Sequence, residues 1–334
     1  MKKRYLFFFL IISIGLTVLS LRERATKKDA RLKDNGIKMN ALNQVQPITK
    51  KREKVATINQ KKRTVKTRDE LVLWSHLDKK EKEYVASSVQ KTIAGNSYEE
   101  RIHHVVYDLP KMLSQHDYKA LAGYLLQPQD GKDGDFRQHE YALRNYMMDA
   151  LREVNESLSE TTEILIAVYA DQEQGDIMRG YALQHLSSLY LDHLDSLSDG
   201  DRRNIIHTLK EAMNNLDQGT IPSTALISLQ DISRWDPAKL SPAIVKHYTM
   251  NVLRQNNAGT LALISAFHVA GERKWGAVSS YARKTAFDAQ SDPILRMSAI
   301  YALGEIGETL GLEKLVNNTN KQIKTAATLA LKGK

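Results

Sequence analysis

Cysteine is absent from this 334-residue chain. That lack excludes disulfides, thiolate metal sites, a cysteine nucleophile and a lipidated N-terminal cysteine, and it leaves the redox compartment open. Proline is scarce, at seven residues. Pro222, Pro237, Pro242 and Pro293 fall near expected helix starts or in connections, where a fixed φ and a missing N–H are tolerated. No convincing stretch alternates apolar and polar residues with period two, so the signature of half-buried strands is missing. Also missing are a G-x-S-x-G elbow, a phosphate-binding glycine loop and a dinucleotide fingerprint. The chain that remains reads as all-α.

Charge is divided unevenly. The formal net charge of +9 suggests a nucleic-acid binder. Residues 1–69, however, hold 19 Lys/Arg against 5 Asp/Glu, whereas the other 265 residues hold 29 against 34. The basicity therefore belongs to the N-terminal fifth, and the remainder is mildly acidic.

After "MKKR", the run from Tyr5 to Leu21 carries no charge. As a helix it would be roughly 25 Å long, at the lower edge of what spans a bilayer core of about 30 Å. Residues 1–21 read as an uncleaved signal anchor that exports the rest of the chain and leaves it membrane-bound. The alternatives are a cleaved signal peptide with secretion, for which Val18 and Ser20 offer a mediocre cleavage site, and a buried core helix. Residues 22–69, with clusters at Lys50–Lys54 and Lys61–Arg68, lack sustained apolar periodicity and read as a disordered basic linker. Such a linker either attracts a polyanion (acidic lipid, cell-wall polymer or nucleic acid) or acts as a solvated spacer.

Residues 70–160 form an N-terminal helical region, with Ser97 and Glu100 at capping-box spacing. Beyond it a helical register repeats. Met178, Ala182, Leu186 and Leu189 make a stripe whose offsets recur at Ile221, Ala225, Leu229 and Ile232, at Ala258, Ala262, Ala266 and Val269, and at Leu295, Ala299, Leu303 and Ile306. A truncated copy holds Ile323, Ala327 and Leu331. Alanine takes the second position each time, as close antiparallel packing would require. Partner helices are expected at 163–170, 202–213, 243–253, 278–287 and 312–316. A spacing near forty residues is the signature of an α-solenoid of helical hairpins. The segment around Tyr141 fails the pattern, because its Tyr-Ala-Leu alignment puts Gln138 and Asp149 on the stripe.

The stretch Ser291–Gly307 resembles the second helix of a HEAT-type repeat, through Asp292, Arg296, Ala299, Ala302, Leu303 and Gly304. Gly175–Leu186 is similar through Asp176, Arg179, Ala182 and Leu183. The resemblance spans 161–334 and implies HEAT-like hairpins, a fold that mainly scaffolds other proteins. No enzymatic role carries over residue by residue.

The search for chemistry finds near misses. "HEYAL" at His139 has Leu143 where a zinc protease needs its second histidine. In the loop from Asp130, Lys132 and Gly134 occupy positions where a calcium loop needs oxygen ligands. His103 and His104 diverge by about 100° on a helix, and His185 and His193 are split by an expected helix end, so both pairs read as surface or satisfied histidines. No catalytic, metal or cofactor site is expected. Trp74 is expected to cap the first helices, and Trp235 and Trp275 to close hairpins or anchor a partner.

One surface stands out. Six residues after each stripe start lie Gln184, Ile227, Ile264, Tyr301 and Leu329, about 155° from the stripe centre. Four of the five are large and apolar, and Phe267 lies close to them. Either the row packs between repeats, or Ile227, Ile264, Phe267, Tyr301 and Leu329 line a groove for an apolar segment of a protein partner. The expected function is a non-enzymatic, membrane-tethered or exported scaffold. The alternative is an envelope protein that binds a polyanion through residues 22–69.

Overall fold

A computed structural model describes residues 77–109, 113–127, 134–153, 158–216 and 219–332. The expected anchor at 5–21, the linker at 22–69 and Trp74 lie outside the described residues, as does most of the loop from Asp130. No helix among the described residues is long and apolar enough to cross a membrane. All of them belong to the second of two units into which the chain divides, Lys62–Lys334.

Fourteen α-helices and no strand occur among the described residues, as the missing period-two alternation implies. Helices α1 (Lys79–Glu83), α2 (Ser87–Ala94) and α3 (Tyr98–His103) come first, and a π-helical turn, His104–Asp108, extends α3. Then come α4 (Gln115–Leu125) and α5 (Gly134–Glu153). The following helices pair: α6 (Leu158–Ala170) with α7 (Asp176–Asp192), α8 (Asp199–Glu211) with α9 (Ile221–Trp235), α10 (Pro242–Arg254) with α11 (Thr260–Glu272), and α12 (Ser279–Phe287) with α13 (Pro293–Ile306). In the last pair the first member is only a 3-10 turn, Leu312–Leu315, against α14 (Lys321–Lys332).

Local sequence sets these boundaries. Asp78 and Ser114 complete capping boxes with Glu81 and Asp117, and the Ser198 and Asp292 side chains accept from the first free backbone N–H groups of α8 and α13. Ser97 makes half of its expected box: its hydroxyl accepts from Glu100 N–H, while the Glu100 carboxylate turns to Asn96 N–H instead. Pro242 and Pro293 open helices, and Gly307, at φ 88°, ends α13 in the left-handed conformation that favours glycine.

The alanine register is the packing seam. Ala182, Ala225, Ala262, Ala299 and Ala327 are all 0% exposed, and the stripe residues around them are buried or, at its rims, half-buried. Second helices also stack on one another in chain order: α5, α7, α9, α11, α13 and α14 each contact the next. Hairpins packed against their chain neighbours are compatible with a helical-repeat solenoid. At two of these contacts the backbones come very close. A Cβ added to Gly271 would lie 3.2 Å from Ala302 Cα, and one added to Gly304 would lie 2.8 Å from Ala330 Cβ.

Helix α5 shares the register from a different starting point. Glu140, Arg144, Met148 and Leu151 have the stripe's offsets and are all buried. The Tyr-Ala-Leu alignment hid this, because charged residues occupy the first two positions.

The period also shows in bonding. Side-chain hydrogen bonds join Arg101 to Glu140, 39 residues apart, Asn145 to His185 at 40, Ser159 to Asp201, Ser223 to Ser265 and Gln230 to Glu272 at 42, and Tyr190 to Asp236 at 46. Within hairpins a second device recurs. Arg101 Nε donates to Thr92 O (3.0 Å), Arg144 Nη1 to Leu125 O (3.0 Å), Arg179 Nε to Tyr169 O (2.8 Å) and Arg296 Nε to Ala286 O (3.1 Å). Each guanidinium satisfies a carbonyl in the last turn of the preceding helix, where the helix dipole also favours positive charge.

Candidate functional site

Stacking of the second helices brings the sixth-position residues to equivalent places, but their exposure is not uniform. Gln184, Ile227 and Ile264 are half-buried, and Ile227 packs against the core. Tyr301 and Leu329 are 40% and 52% exposed. Apolar surface therefore opens toward α13 and α14, whereas on α9 Ile227 is partly covered by the core and on α7 the position is polar. Phe267 is 1% exposed and sits in the core, so it offers no surface to a partner. It falls nine residues after its stripe start, about 145° from the stripe centre, and is nevertheless covered, so α11 is packed on that face as well as along the seam. Trp275 is half-buried against the core, while Trp235, at the end of α9, is 38% exposed.

A cleft of about 280 Å³ lies along α8, lined by Asp199, Arg202, Arg203, Ile206, His207 and Lys210 with Lys239 from the α9–α10 connection. Spacing of three and four puts the α8 residues on one face. Four cations stand against Asp199, which Lys239 Nζ meets at 2.9 Å and holds below the usual carboxylate range. Arg202 is anchored on the Leu194 and Leu197 carbonyls. The cleft is positive within a mildly acidic fold. Sequence reading missed it because Lys239 comes from the α9–α10 connection, 40 residues after Asp199.

The first two stripe positions of α5 form a buried polar centre. Glu140 accepts from Arg101 Nη1 and from Tyr124 Oη, each at 2.6 Å, and Arg144 Nε lies 3.8 Å from the same carboxylate. Both guanidiniums sit over the Tyr124 ring, at 5.3 and 5.1 Å from its centroid. Burial, reinforced by Glu140, pushes the Tyr124 phenol up to about 12. Arg144 also donates to Gln174 Oε1 at 3.3 Å, tying α5 to the connection before α7. The "HE" that resembles a protease motif thus divides between two structural roles: His139 stacks on Tyr98 at 4.4 Å, and Glu140 joins the ion cluster. The ring nitrogens of His185 and His193 likewise have partners, Asn145 Oδ1 at 3.0 Å and Arg152 O at 3.1 Å.

Between α9 and α11, Arg273 Nε donates to Gln230 Oε1 at 2.7 Å, and Gln230 Nε2 donates to Glu272 at 3.3 Å. Asp231 is beside this group. Burial, aided by Glu272 and opposed by Arg234 and Arg273, raises its carboxyl to about 6.

No protein family matches this chain, and none of the curated proteins does. The likeness to HEAT-type hairpins therefore rests on the residues themselves, chiefly Arg179 and Arg296, which occupy the same register position and make the same bond.

Proposed function

We propose that residues 161–334 are an α-solenoid of HEAT-like hairpins that serves as a non-enzymatic docking platform for a protein partner, held at a membrane by residues 5–21 through the basic linker 22–69. The observation that carries this reading is the exposure of Tyr301 and Leu329 at equivalent positions of consecutive stacked helices, where a solvated helix would present charge. Large apolar side chains at such places supply the anchors that protein interfaces use.

The test is crosslinking in native membranes followed by mass spectrometry, with the full chain compared against Tyr301→Asp/Leu329→Asp. A partner recovered with the parent and lost with the variant, at unchanged melting temperature, supports the platform. An unchanged set of crosslinked proteins refutes it.

A second reading has its own support in the positive cleft along α8. In it the protein engages a polyanion, with residues 22–69 as the main contact and the cleft as a further one. Binding of the full chain to anionic vesicles would then fall steeply between low and physiological salt. Binding that does not change with salt, or no binding, reduces the linker to a spacer.

A further inference from the structure

On a regular helix His103 and His104 point about 100° apart, and His103 and Asp108 about 140° apart, so the three cannot converge. The turn His104–Asp108 is π-helical, with bonding that reaches one residue further than in an α-helix. Widening the turn carries Asp108 back beneath both imidazoles, five residues after one and four after the other. His103 Nδ1 lies 3.5 Å from Asp108 Oδ2 and His104 Nδ1 lies 2.5 Å from the same oxygen, with one ligand atom of each residue within 4.8 Å of the others. Among the described residues no other group of three His, Asp or Glu side chains converges in this way.

We propose that His103, His104 and Asp108 form a binding site for a divalent transition cation, with zinc as the best fit. Two imidazoles and one carboxylate make a donor set that suits zinc and its neighbours rather than magnesium or calcium, which prefer oxygen alone. Ligands about 2.0–2.2 Å from a tetrahedral centre stand roughly 3.3 Å apart, close to the His103–Asp108 distance. The shorter His104–Asp108 contact is a direct hydrogen bond that the cation would replace. Opening it requires the carboxylate to swing by less than roughly 1 Å, and Asp108, at 41% side-chain exposure, has room to do so.

A further feature suits a metal. On the far side of the His104 ring, Glu100 Oε1 lies 3.8 Å from Nε2, and the other Glu100 oxygen is fixed by Asn96 N–H at 2.9 Å. A carboxylate behind a ligating imidazole selects its tautomer and strengthens it as a donor. The exposed side of His103 leaves a fourth position for water or for a side chain of a docked protein.

The test titrates the full-length chain, purified in detergent and freed of any affinity tag, with cobalt(II) and then zinc(II). One cobalt per chain with the visible spectrum of a low-coordinate ion, displaced by zinc, is expected. His104→Ala and the near-isosteric Asp108→Asn should each weaken zinc binding at least about 100-fold, and Glu100→Gln about 10-fold, with far-UV circular dichroism unchanged. Absence of both a cobalt spectrum and bound zinc overturns the proposal. So does zinc affinity undiminished in His103→Ala/His104→Ala, which would place the metal on other histidines.

Discussion

Arg296 reaches back ten residues to donate to the carbonyl of Ala286, and Arg179 does the same to Tyr169 one hundred and seventeen residues earlier in the chain. Both are buried, and both join the two helices of a hairpin where the first one ends. Arg296→Met keeps much of the stem packing but leaves the carbonyl without this donor. Charged hydrogen bonds of this kind contribute roughly 1.5–3 kcal/mol. Thermal melts should show a loss of that order for Arg296→Met. A melt equal to the parent's would show that water takes over the bond.

Ala299 and Gly304 set how closely α13 meets its neighbours. Ala299→Leu should cost about 1–3 kcal/mol by overpacking the seam. For Gly304→Ala two effects oppose each other. Alanine gains about 1 kcal/mol of helix propensity over glycine, but its Cβ would meet Ala330 Cβ at 2.8 Å. Backbone separation is needed to relieve that contact, so a lower melting temperature is expected. A rise would mean that α14 yields at little cost.

How far the sequence reveals this arrangement depends on what residues do at equivalent places. The register from Met178 to Leu331 is legible because apolar residues and alanine hold it by themselves, and all five alanines are fully buried. Helix α5 is hidden because Glu140 and Arg144 are buried there by mutual pairing, which period counting scores as exposed. Phe267 misleads in the opposite sense: hydrophobicity alone does not say which face of an apolar helix such as α11 meets solvent. The π-turn is invisible to a reading that assumes 3.6 residues per turn throughout, and so is the meeting of His103 with Asp108.

Glu140 is the negative centre of a buried cluster with two guanidiniums. Removing one partner of a buried pair typically costs about 3–5 kcal/mol, because the remaining charge is uncompensated. Glu140→Gln should therefore destabilise the fold by that order, measurable by urea denaturation. Glu140→Gln combined with Arg144→Met should recover part of the loss. If the double variant is as unstable as the sum of the singles, the two residues act independently.

Asp231 makes the stability depend on pH. Its carboxyl titrates near 6 in the folded protein and near the ordinary aspartate value when unfolded. Stability from its protonated form is fully present below about pH 4 and is lost as pH rises through 6, because only the unfolded chain sheds the proton early. Asp231→Asn should be more stable than the parent at pH 7.5, with the advantage shrinking as pH falls toward 4. An advantage that does not change with pH would place its origin elsewhere. His185 has the opposite effect in the parent. Burial and Arg152 lower its folded pKa, so its contribution is present above about pH 6.5 and fades on acidification.

Hydrogen bonds that span 39 to 46 residues tie α3 to α5, α5 to α7, α6 to α8, α7 to the end of α9, and α9 to α11. Under tension applied between the two ends of the stack, a load would be carried in series through these joints, and the weakest would open before the rest. A freed segment of some forty residues lengthens toward roughly 130–145 Å when drawn out, so the protein would yield in discrete steps, one hairpin at a time, as a stack of latches does and a single interlocked core does not.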